Sequence, residues 1–88
     1  MILKIDKSFE KDFKKTGNQK LNPKLLSVLD NIQNATKISD IKNIKKLKGS
    51  DGFYRIRLGD YRIGIIIIKQ EVQLIRFLHR KEIYRYFP

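Results

Sequence analysis

The chain has 88 residues, with 20 Lys+Arg against 9 Asp+Glu, a formal net charge of +11 and no cysteine. That length holds a single domain, residues 1–88, with no room for a second core. The composition excludes disulfide staples and any cysteine-based metal site or nucleophile, and no apolar run reaches the length of a membrane-spanning helix.

Met1 to Ile5 alternates weakly and carries β-branched Ile2 and Ile5, which predicts a first strand. Ser8 is a candidate N-cap, and Phe9 and Phe13 stand four apart on one helical face, so a first helix of about two turns follows. Gly17 is its stop signal. Asn22-Pro23 reads as a cap followed by proline at the first helical position. Leu25, Leu26, Leu29 and Ile32 then mark an amphipathic second helix that fades at Asn34-Ala35-Thr36. Two helices joined this tightly form an antiparallel hairpin. Residues 36–52 are lysine-rich, with Ile38, Ile41, Ile44 and Leu47 three apart, and fit either a short helical piece or a loop.

Phe53 to Leu58 and Tyr61 to Ile68 are two strand-like runs around Gly59-Asp60, a strong hairpin signal. Ile65 to Ile68 is apolar on both faces, as a central strand covered on both sides requires. Val72 to Leu78 reads as a last strand and His79 to Phe87 as a short terminal helix, with Ile83 and Phe87 four apart. The order predicts an α+β fold: a mostly antiparallel four-stranded sheet, an N-terminal helical hairpin on one face and a short C-terminal helix.

Charge is unevenly placed. Residues 1–44 carry nine Lys and no Arg, whereas all six arginines lie between Arg55 and Arg85. Arginine supplies a planar two-pronged donor where lysine supplies only a point charge. A two-residue turn at Gly59-Asp60 pairs Leu58 with Tyr61, Arg57 with Arg62, Ile56 with Ile63 and Arg55 with Gly64. Side chains alternate along a strand, so Tyr54, Ile56, Leu58, Tyr61, Ile63 and Ile65 share the core face and Arg55, Arg57 and Arg62 share the other. Facing arginines repel, and the pairing makes sense if an anion sits between them. Gly64 is expected to leave a gap on that face where a backbone or base approaches. A three-residue loop at Lys69-Gln70-Glu71 pairs Gly64 with Arg76 and adds Arg76 to the cluster; a two-residue loop sends it into the core, which an arginine avoids. His79, the one histidine, fits either a structural or an acid–base role. Tyr84 and Tyr86 fit either the core or a flat face for a nucleobase. The net charge points to a polyanionic partner. The charged N-terminal stretch Met1–Asp6 does not read as a signal peptide, so a cytoplasmic location is expected.

The segments Lys46-Leu47-Lys48-Gly49, Phe53-Tyr54-Arg55-Ile56-Arg57-Leu58-Gly59-Asp60-Tyr61-Arg62-Ile63 and Leu78-His79-Arg80-Lys81-Glu82-Ile83-Tyr84 resemble the RelE branch of the RelE/ParE toxin superfamily. The resemblance implies the toxin of a type II toxin–antitoxin system. Its expected activity is that of an mRNA interferase, an endoribonuclease that cuts messenger RNA in the ribosomal A site and so inhibits translation. It implies attack by the RNA's own 2′-hydroxyl, with no metal and no other cofactor. By the same resemblance Arg62 holds the scissile phosphate, Arg80 assists the leaving 5′-oxygen and Tyr84 orients or stacks a base. Arg55, Arg57, Lys48 and Arg76 are the expected RNA contacts. Arginines do not serve as general bases, so proton acceptance falls to His79, water or ribosomal RNA. The expected partners are a cognate antitoxin, mRNA and the ribosome, with no membrane. The alternative that the resemblance carries is a ParE-like inhibitor of DNA gyrase without nuclease activity.

Overall fold

The computed structural model describes residues 1–47, 49 and 51–87. In chain order the elements are β1 (Ile2–Ile5), α1 (Lys7–Thr16), α2 (Leu21–Asn34), a 3-10 turn (Ile38–Asp40), β2 (Ile44–Lys46), β3 (Phe53–Leu58), β4 (Tyr61–Ile68), β5 (Glu71–His79) and α3 (Ile83–Tyr86). The strands form one sheet in the order β1-β5-β4-β3-β2, with β1 parallel to β5 and every other pair antiparallel. The expected α+β architecture holds, with one strand more than the four predicted. The extra strand, β2, lies in the lysine-rich segment that periodicity left open.

Local chemistry sets the helix ends. Asp6, not Ser8, caps α1: its carboxylate accepts the Ser8 N–H at 3.1 Å, and the Ser8 hydroxyl reaches across to the Ile75 carbonyl. Gly17 ends the helix in the left-handed region (φ 60°), its N–H bonded to the Lys14 carbonyl. α2 starts at Leu21, so Pro23 falls within its first turn, and the Asn18 side chain takes the Lys20 N–H. Asp40 gathers the N–H groups of Thr36 and Lys37 and the Thr36 hydroxyl, which closes the link to β2.

The helical hairpin covers one face of the sheet, α1 packing on β5 and α2 on β1. The core there holds Ile32, Ile56, Ile63, Ile65, Val72 and Leu74, all within 1% of fully buried. Phe9, Phe13 and Phe77 interlock at its edge, with ring centroids 5.0–6.2 Å apart. A second, smaller cluster sits on the other face, where Ile83 and Phe87 of the terminal segment press on Phe53, Ile66 and Leu78. Both faces of β4 are therefore covered as far as Ile67, as its isoleucine run predicts, whereas Ile68 at the strand's end is 55% exposed. No described helix is long and apolar enough to cross a membrane.

The turn after β4 differs from expectation. Ile68 pairs with Glu71, so the loop is the two residues Lys69-Gln70. A bulge then places Ile75 as an extra residue of β5 between the Gly64–Arg76 and Ile65–Leu74 pairs. The bulge restores the register that a longer loop was expected to provide.

Candidate functional site

The β3–β4 hairpin has the predicted register throughout: Leu58 opposite Tyr61, Arg57 opposite Arg62, Ile56 opposite Ile63 and Arg55 opposite Gly64. Gly59 has φ 59° while Asp60 does not turn positive, the type II′ arrangement that suits the twist of a two-residue hairpin. Arg55, Arg57 and Arg62 thus share the face opposite the helical hairpin. β2 adds Lys45, which lies opposite Arg55. Sequence reasoning missed Lys45, because a three-residue strand shows no periodicity of its own.

The hairpin turn organises the cluster. Arg62 folds back so that Nη1 donates to the carbonyls of Gly59 (2.8 Å) and Tyr61 (2.9 Å). Among the described residues Nε and Nη2 have no hydrogen-bond partner, so both donors can meet an anion. The Asp60 carbonyl accepts the Arg80 N–H at 2.8 Å, which brings the first residue beyond β5 to the same turn. Burial lowers the Arg62 pKa, and the positive charges of Arg55, Arg57 and Arg80 lower it further against an opposing effect of Tyr84. The guanidinium stays protonated at physiological pH. Its neighbours nonetheless make a field that an anion would relieve. No described carboxylate forms an ion pair with Arg55, Arg57, Arg62 or Arg80, so the repulsion has no ion-pair screening among the described residues.

Tyr84 joins from α3. Its side chain is exposed, and its phenol oxygen accepts the Arg55 Nε–H at 3.1 Å. Of the predicted site residues, Arg55, Arg57, Arg62, Arg80 and Tyr84 therefore come together.

Two others do not join them. Leu78 pairs with Arg62, so His79, one residue on, alternates to the opposite face, where it pairs with Tyr61. Its ring stands edge-on to Tyr61 at 5.7 Å, and Nδ1 accepts the Lys81 N–H. Adjacency to Arg80 in sequence does not bring its imidazole to the arginines. Arg76 holds its predicted register opposite Gly64, but its guanidinium is bound to Asp12 of α1, at 2.6 Å from Nε and 3.2 Å from Nη2. Asp12 also accepts the Phe77 N–H. That hydrogen bond to Asp12 raises the Arg76 pKa despite partial burial. Arg76 is a strut between helix and sheet rather than a free cation. Lys48 lies outside the described residues. The gap expected at Gly64 is also closed, because the Phe87 ring lies over it.

Three comparisons bear on this arrangement. The family described as "ParE toxin of type II toxin-antitoxin system, parDE" matches residues 3–84. Toxin RelE3 of Methanocaldococcus jannaschii is 41% identical over 83 residues, covering 93% of each chain. The crystal structure of a RelB-RelE antitoxin-toxin complex from Methanococcus jannaschii superposes with a TM-score of 0.80 at 37% identity, covering 97% of this chain and 99% of that one. YafQ from E. coli strain BL21(DE3) shares the fold with a TM-score of 0.65 at 17% identity, over 93% and 96% of the two chains.

Proposed function

The chain belongs to the RelE/ParE toxins of type II toxin–antitoxin systems, and from that premise we propose that it is a ribosome-dependent endoribonuclease that cuts messenger RNA. The observation that carries the reading is the cluster of Arg55, Arg57, Arg62 and Arg80, none of which pairs with a described carboxylate, with the Tyr84 phenol seated on Arg55.

In the proposed reaction the 2′-oxygen of one nucleotide attacks the adjacent phosphorus and the bond to the 5′-oxygen breaks. The products are a 2′,3′-cyclic phosphate and a free 5′-hydroxyl. Negative charge builds on the phosphoryl oxygens, and preorganised arginines stabilise it more in the transition state than in the ground state. Arg62 is the best placed, since the hairpin carbonyls fix its orientation before RNA arrives. Arg55 and Arg57 act as clamps, and Arg80 meets the leaving 5′-oxygen, which takes a proton from water to become the 5′-hydroxyl. Tyr84 presents a flat exposed ring to a base. The cluster contains no proton acceptor that titrates near neutrality, so water or ribosomal RNA takes the 2′-hydroxyl proton. A cognate antitoxin is the expected regulator, as in the RelB-RelE complex.

Inducing the protein in growing cells and mapping message ends by primer extension tests this reading. Cuts at A-site codons that vanish with Arg62→Ala are expected; unchanged cutting by Arg62→Ala contradicts the assignment. The match to the ParE toxin family supports a second reading, inhibition of DNA gyrase. Its signature is SOS induction with messages left intact.

A further inference from the structure

Gly64 stands in the middle of β4, opposite Arg55 on one side and Arg76 on the other. A glycine weakens a strand, because it adds backbone freedom and leaves nothing to pack. Gly64 is not among the glycines with a positive φ, so backbone conformation does not call for it. Phe87 does. A β-carbon at position 64 would lie 2.7 Å from two ring carbons of Phe87 and 2.9 Å from a third. Those distances are too short for carbon atoms, so the ring or the strand would have to move.

Phe87 and Ile83 are 3% and 0% exposed. They stand four apart and anchor the terminal turn in the small apolar cluster on the arginine side of the sheet. α3 has only four residues, far too few to hold helical shape without tertiary support. Tyr84 rides on this turn directly after Ile83, 65% exposed, with its phenol against Arg55. Its location therefore depends on the two buried side chains flanking it.

We infer that Gly64 and Phe87 are positioning residues: the Phe87 ring seated on the bare backbone of Gly64 fixes the terminal turn and so holds the Tyr84 phenol over Arg55. The geometry stands independently of the nuclease reading, and only its consequence for RNA cutting rests on that reading. Arg55, Arg57 and Arg62 belong to the hairpin, and Arg80 is tied to its turn by the backbone bond to Asp60. Unseating Phe87 thus removes Tyr84 from the site and leaves the phosphate clamp in place.

The test uses the full chain in the variants Gly64→Ala, Phe87→Ala and Tyr84→Ala. NMR reads the Arg55 Nε–H signal and its contact with the Tyr84 ring. Loss of that contact in both Gly64→Ala and Phe87→Ala, with the amide pattern of the sheet retained, is expected. Persistence of the contact in both overturns the inference. If Gly64→Ala fails to fold, Phe87→Ala, which only removes atoms, decides alone. In single-turnover cleavage on programmed ribosomes, Gly64→Ala is expected to slow the wild-type background by roughly tenfold to a hundredfold. In the Tyr84→Ala background it should have no further effect. An equal slowing in both backgrounds means a general structural defect and also overturns the inference. A wild-type protein that cuts no message sinks the nuclease reading, while the NMR result still judges the positioning role.

Discussion

Arg62 does two things that a lysine does not: it spans two carbonyls of its own turn through one nitrogen and still offers a donor pair to a phosphate. Arg62→Lys keeps the charge and loses both the anchor and the fork. A fall in kcat of about a hundredfold is expected, the size of losing one transition-state donor, with a smaller change in KM. Steady-state cleavage on programmed ribosomes checks the split. Asp12 answers to a different measurement. It holds Arg76 and the Phe77 N–H, so Asp12→Ala leaves a partly buried cation and an amide unpaired. Urea unfolding should show a loss of roughly 2 kcal/mol, while the positions of RNA cuts stay the same. The arginine face was legible in the sequence because strand alternation is a local rule and the Gly-Asp turn fixes the register. Arg76 and His79 were not: a neighbour distant in the chain decides Arg76, and the reach of β5 past Leu78 decides His79. Asp12, 64 residues before Arg76, captures its guanidinium, and one further step along β5 carries His79 to the other face.

Among the elements, β1, both long helices, β3, β4, β5 and a short terminal helix were readable in the sequence, and β2 was not. α1, α2, β3, β4 and β5 each show a period over enough residues to be recognised. β2 has three residues, too few for strand alternation to stand out, and α3 has four, shorter than the helix expected over His79 to Phe87. The bulge in β5 leaves no mark in the sequence at all, since the pairing across two strands creates it. Gly17 offers a clean test of helix termination. It has φ 60° and nothing within 4 Å of an added β-carbon, so Gly17→Ala meets only the left-handed backbone penalty. Thermal unfolding should report a loss of about 1–2 kcal/mol, and Gly17→Asn should lose less.

The link closed by Asp40 gives a pH dependence. Hydrogen bonds from Thr36, and then from the Lys37 N–H, hold the Asp40 pKa below its usual 3.8. A carboxylate with a lowered folded pKa contributes stability that is full above the unfolded value and is lost as pH falls through the folded one. Melting curves taken from neutral pH into the region below 3.8 should therefore show the wild type losing stability with acid. Asp40→Asn should be less stable at neutral pH and show a shallower acid decline.

For the molecule as a whole, a net charge of +11 on 88 residues attracts polyanions electrostatically. The sequence already implied this, and the structure adds where the charge is organised: one end of one sheet face, with the terminal aromatic cluster closing the other end of that face. RNA held through Arg55, Arg57, Arg62 and Arg80 should show a log–log salt slope of about −3 for a single strand. Removing Lys45, the neighbour of Arg55 on β2, should lower its magnitude by about 0.7 if Lys45 meets a further phosphate. An antitoxin that binds only the folded form should raise the melting temperature as its concentration rises.

The most direct measurement gives the purified protein ribosomes carrying two messages, identical except for a 2′-deoxy sugar at the A-site nucleotide that would be cut. Cleavage of the all-ribose message alone is expected, with a 2′,3′-cyclic phosphate on the upstream fragment and a 5′-hydroxyl on the downstream one, and loss of that cleavage in Arg62→Ala. Cleavage of the deoxy-substituted message, or a 5′-phosphate on the product, would contradict attack by the 2′-oxygen.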